Sequence, residues 1–169
     1  MPLGTAGIDL TPMQHRSPSA LERFRALYRG PEPVGASELD VIALEREVGL
    51  RLPADYRAFL RWMGRDRNGV WRGSECFVDD IVSITRDLPD LMEENGLLHA
   101  LPDRYVCVFM HQGYIATWFA VPTDSSDPAA FVFNEGQREL GIRTGETVME
   151  TFLADYRGLT GLGVEGSDA

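Results

Sequence analysis

Cys107 and His111 come nearest to a catalytic pair in this chain, a thiol and an imidazole four positions apart in the run Val106-Cys107-Val108-Phe109-Met110-His111. If that run is a strand, Cys107 shares a face with Phe109, and His111 at the following turn can share it too. Nucleophilic chemistry also needs a third group to orient the imidazole, and no residue marks one. The pair therefore reads as a buried thiol beside a turn histidine. A metal centre needs clustered ligands, but His15, His99 and His111 are scattered and no Cys-x-x-Cys or His-Glu-x-x-His spacing occurs. Gly161-Leu162-Gly163-Val164-Glu165-Gly166 has the spacing of a dinucleotide fingerprint, yet only three residues follow it and no helix can cradle a pyrophosphate there. It reads as a tail. Asp66-Arg67-Asn68-Gly69 begins like a calcium loop without the later ligands and reads as a turn. No catalytic, cofactor or metal site is expected.

Charge is the stronger signal. The 169 residues carry 26 acids and 16 basic residues, all arginine, for a net charge of -10. From Gly73 onward there are 17 acids against 5 arginines, a net of -12, whereas Arg16 to Arg72 holds 11 arginines against 8 acids. Such a field repels phosphate backbones and anionic lipids, so nucleic acid and membranes are excluded and a basic partner is favoured. Glu75, Asp79, Asp80, Asp87, Asp90, Glu93 and Glu94 fall within twenty residues that contain only Arg86 as an offset. They form either a solvated face or a partner's footprint. Trp71, between Val70 and Arg72-Gly73 in an expected loop, reads as exposed and joins that candidate surface. Trp118, on a strand, fits a core position or a binding hot spot.

The elements that would position these residues follow from periodicity. Ser19 and Glu22 fit a capping box that opens a short helix to Tyr28, with Leu21, Phe24 and Tyr28 on one face and Gly30-Pro31 as the stop. Ser37 caps a second helix bearing Val41, Leu44 and Val48, which Gly49 ends. Pro53 opens a third, with Tyr56, Phe59, Leu60 and Met63 on its buried face. Glu75 to Val78 reads as a short strand, and Asp79-Asp80 suits the start of a helix with Ile81, Ile84 and Leu88 that Pro89 breaks or kinks. Arg104 to Met110 and Tyr114 to Val121 read as a hairpin about His111-Gln112-Gly113, Ala130 to Asn134 as another strand, and Asn134-Glu135-Gly136 as a turn. Thr144 caps a closing helix with Val148, Phe152, Tyr156 and Leu159. Helices, a strand meander and a last helix give an α+β fold on a mainly antiparallel sheet, with residues 17–160 as one domain, 1–16 as a lead-in and 161–169 as a tail. With 44% hydrophobic residues the chain can bury a full core, and Cys76 and Cys107 are expected as buried thiols. Met1 to His15 lacks the basic and apolar regions of a secretory signal and no apolar run is long enough to span a bilayer, so a cytoplasmic address is expected.

The stretch Leu44 to Gly64, LEREVGLRLPADYRAFLRWMG, resembles the signature of the SUKH superfamily, the Smi/Knr-type domains. The matching positions are Glu45, Gly49, Leu52, Pro53, Tyr56, Phe59 and Leu60, and a weaker likeness extends over Ser37 to Leu159. One departure is the loop after the third helix, where Gly64 comes first and Asn68-Gly69 follows an arginine-rich insertion. The resemblance implies a non-enzymatic interaction domain. Many bacterial members resemble immunity proteins that bind and neutralise toxins, often nucleases, and fungal relatives act as regulatory scaffolds or adaptors. An acidic second half would complement the basic groove of a nucleic-acid-cleaving toxin.

Overall fold

A computed structural model describes residues 16–136 and 142–162. Helices α1 (Ala20–Leu27), α2 (Glu38–Val48) and α3 (Ala54–Met63) precede α4 (Ile81–Glu94) and a 3-10 turn, Leu98–Ala100. Strands β1 (Tyr105–His111), β2 (Ile115–Ala120), β3 (Phe131–Asn134) and β4 (Ile142–Arg143) follow, and α5 (Val148–Thr160) closes the fold. The strands form an antiparallel meander in the order β1-β2-β3-β4. The α+β architecture expected above is the one observed.

Local chemistry explains most boundaries. Ser19 and Glu22 form the complete capping box of α1, and Ser37 with Asp40 forms that of α2, whose end at Gly49 has a φ of 71°. Pro53 stands at the N-cap of α3 with a φ of -53°. Gln112 and Gly113 both have positive φ, 46° and 73°, and the Tyr114 amide donates to the His111 carbonyl, so a primed turn centred on Gln112-Gly113 joins β1 to β2. The register slips between Cys107 and Phe109, a bulge in β1.

Four expectations are corrected. Glu75 to Val78 forms no strand: Glu75 alone pairs with Met110, and the chain then turns to reach α4. Pro89 does not break α4, because Leu88, Leu91 and Met92 are buried and hold both halves of the helix on the core despite one lost hydrogen bond. Thr144 does not cap α5; Gly145 has a φ of 115°, which no helix tolerates, and Thr147 with Glu150 makes the capping box instead. Asp127 reinforces that cap by accepting from the Thr147 hydroxyl at 2.5 Å and the Met149 amide at 3.0 Å. Trp71 is not exposed. Only 3% of it is accessible, packed between Phe24, Phe59 and Phe152, with its indole N–H donating to Asp155 at 2.5 Å. The lead-in to His15 and the tail from Gly163 lie outside the described residues.

One buried cluster joins the helices to the sheet. At its centre the Phe59 ring meets Phe152 at 4.5 Å, Trp71 at 5.8 Å, Tyr56 at 6.3 Å and Phe24 at 6.4 Å. Tyr56 is fully buried, and its hydroxyl has no hydrogen-bond partner among the described residues. Burial pushes that phenol well above its ordinary pKa. An unpaired buried hydroxyl costs free energy, so Tyr56→Phe is expected to leave stability within about 0.5 kcal/mol of the parent or to raise it. A urea titration showing a loss above about 1 kcal/mol would refute that account.

Candidate interaction surface

The acidic run divides into two electrostatic classes. Asp79 and Asp80 are answered by the arginine-rich insertion after α3. The Arg65 amide donates to the Val34 carbonyl and the Val78 amide to the Gly64 carbonyl, which fixes the insertion beside the start of α4. Arg67 reaches both Asp80 oxygens, at 2.8 and 3.3 Å, with its guanidinium 4.9 Å from the Phe77 ring centre. Asp80 also accepts from the Phe77 amide at 3.0 Å, and its side chain is only 14% exposed. Arg65 bridges Asp79 at 2.8 Å and Asp40 at 3.0 Å. Asp80 is thus a structural anion, and Asp79 lies half-neutralised at its edge.

The remaining acids lie in solvent. Asp87, Asp90, Glu93 and Glu94 are exposed on α4, on the side away from its buried Ile84, Leu88, Leu91 and Met92. Arg86 touches Asp87 at 3.3 Å, but both side chains are mostly in solvent and such a pair contributes little. Asp90, Glu93 and Glu94 make no ion pair with any described residue, and the last turn of α4 holds no basic side chain. Negative charge at a helix C-terminus opposes the macrodipole, at roughly 0.3–1 kcal/mol per residue. Glu75 is also exposed, at the outer edge of β1 where its backbone pairs with Met110. The structure therefore leaves Glu75, Asp87, Asp90, Glu93 and Glu94 presented to solvent, and removes Trp71 and most of Asp80 from it.

Cys107 and His111 bond to other groups and not to each other. Cys107 is fully buried, its thiol contacts the Phe109 and Thr117 carbonyls, and burial pushes it up to about 12. Burial likewise raises the Cys76 thiol. His111 uses Nδ1 to meet Ser74 Oγ at 2.8 Å and stacks edge-on with Tyr114. No carboxylate orients its other nitrogen among the described residues. No group of three metal-ligating side chains occurs among the described residues, and none of their helices is long and apolar enough to cross a membrane.

A second charged feature escaped the sequence reading. A groove of about 660 Å³ opens between α1, α3 and the segment 123–126, lined by Arg25, Arg51, Arg57 and Arg61 together with Glu38 and Asp124. Its arginines are scattered over 37 positions of chain, so no local run signals it; only the spacing Arg57 to Arg61, one helical turn, hints at a shared face.

The helix pair α2 and α3, the meander and the start of α5 are matched by a family model, SMI1 / KNR4 family (SUKH-1), over residues 35–150. The chain belongs to this family. Among individually curated proteins none matches it. In this SUKH-1 chain the signature residues are architectural: Leu52, Tyr56, Phe59 and Leu60 are buried. Glu45 accepts from the Leu52 amide at 3.0 Å and from Arg57 at 3.0 Å, tying the two helices across the Gly49 turn. Helix α1 lies outside the matched span and most of α5 lies beyond it, yet they pack on one another through Phe24, Tyr28 and Tyr156. SUKH-1 domains are generally non-enzymatic and bind protein partners.

The inner ion pairs make stability pH-dependent. Hydrogen bonds from Arg65 and then from Ser37 hold Asp40 well below the usual carboxylate range, and Arg57 and Arg61 lower Glu38. Carboxyls depressed by folding contribute stability that is present above their unfolded pKa, about 4, and is lost as pH falls through the folded value. Urea midpoints are expected to fall more between pH 7 and pH 3 in the parent than in Asp40→Asn. Equal losses would show that Asp40 carries none of the dependence.

Proposed function

We propose that this SUKH-1 domain is an immunity-type protein that neutralises a cognate toxin by direct binding, with the acidic face of α4 set against a basic surface on the toxin. The observation that supports this reading most is the placement of Asp90, Glu93 and Glu94, unpaired with any described residue, at the helix end where their charge is least favourable. A cost of that kind is offset when a cationic partner arrives. Glu75 and Asp87 extend the same negative field, and the net charge of -10 adds long-range attraction for a basic protein. A toxin that cleaves nucleic acid presents such a surface, because its own substrate is a polyanion. Cytoplasmic action fits an inhibitor that must meet its target inside the cell.

Affinity purification from the native cell with mass spectrometry identifies the partner, and binding kinetics then test the surface. Reversal of Asp87, Asp90, Glu93 and Glu94 to Arg places cations at a helix C-terminus, so α4 gains rather than loses stability. Association with the recovered partner is expected to slow about tenfold or more at low salt, with a much smaller effect at high salt and little change in dissociation. Asp79→Asn, which alters only a half-neutralised acid, is expected to matter far less. Unchanged association in the fourfold variant would remove α4 from the interface.

A further inference from the structure

We infer that the groove between α1, α3 and the segment 123–126 is a second docking site, one that receives an acidic peptide segment. The inference rests on the protein-binding reading above but uses the opposite face chemistry. In a chain of net charge -10, this groove gathers four guanidiniums against two carboxylates. Glu38 occupies Arg57 and Arg61 together, and Arg25 is held by the Ala58 carbonyl at 3.2 Å and lies 5.5 Å from the Trp62 ring centre. These contacts hold three of the cations in place. Arg51, exposed and in no ion pair with any described residue, stands at the rim as the cation left for an incoming anion.

The remaining lining narrows the ligand. Leu52, Pro53, Ala54 and Ala58 add apolar groups to the lining, and Thr123, Ser125 and Ser126 add hydroxyl-bearing ones. The segment is tied down where the Asp55 amide donates to the Ser126 carbonyl at 2.9 Å, and no side chain caps the start of α3. A volume near 660 Å³ exceeds any single ion and suits several residues of extended chain. No aromatic side chain lines it among the described residues, so it offers no platform for stacking bases. An extended peptide with alternating carboxylate and aliphatic side chains matches this mixed lining: Arg forks bind the carboxylates and the apolar residues take the aliphatics.

Fluorescence anisotropy with the intact protein tests this directly, using a labelled eight-residue peptide of alternating Asp and Leu, its Asn/Leu counterpart and an eight-nucleotide oligothymidylate. Saturable binding of the Asp/Leu peptide is expected, at least about tenfold tighter than either control. Arg51→Glu is expected to weaken it about tenfold, and Glu38→Gln, which releases Arg61 while Arg57 stays paired with Glu45, to strengthen it several-fold, with circular dichroism showing both variants folded. Failure of the Asp/Leu peptide to bind, equal binding of the Asn/Leu peptide, or indifference to Arg51→Glu overturns the inference. Tighter binding of the oligothymidylate overturns the peptide assignment. None of these outcomes depends on α4, so the groove can fail while the toxin-binding reading stands, and the reverse.

Discussion

The contact on which the molecule turns is the face of α3 against everything around it. Phe59 touches rings from α1, α5 and the 64–74 loop at once, and Leu60 and Tyr56 beside it are fully buried. Because the face of α3 meets rings from both the N-terminal and C-terminal helices, its aromatic residues are satisfied by partners far apart in sequence. Trp71 is drawn inward for that reason. A wide indole fills the space between three phenylalanines, and Asp155 takes its N–H at the point where the ring meets solvent.

This core also decides which charges remain available. The insertion after α3 cannot wander once Arg65 and Gly64 are bonded to the strands of chain on either side of it, so Arg65 and Arg67 face Asp40, Asp79 and Asp80 and neutralise them. What is left over is segregated. Acids without partners collect on α4, and cations only partly compensated collect around the start of α3. This SUKH-1 chain thus carries two surfaces of opposite sign.

Much of the fold was legible before any coordinates. Three capping residues, Ser19, Ser37 and Pro53, and the left-handed Gly49 are local signals whose physics lies within a few residues, and each occurs where periodicity placed it. The hairpin at Gln112-Gly113 is legible for the same reason. Misreadings came where distance in sequence hides the partner. Trp71 looked exposed because Phe152 and Asp155 lie more than eighty positions away, and Pro89 looked like a break or a kink, of which the break is ruled out by the tertiary burial of Leu91 and Met92. The acidic run was visible as composition, but its division into paired and unpaired members required knowing where the insertion at Arg65 and Arg67 lands. The arginine groove had no linear signature.

Thr85 on α4 sets a last condition. Its hydroxyl accepts from the Cys107 amide at 3.0 Å and meets the Cys107 carbonyl, and one step along, Glu75 pairs with Met110 in both directions. The longest strand therefore has its outward main-chain groups at Cys107 and Met110 already spoken for by its own chain. A visitor arriving at this margin cannot join as an extra ribbon of the meander, the sequence-indifferent mode that many binding modules use. What that flank offers at Cys107 and Met110 is consequently side-chain charge and shape, with the main chain there already engaged.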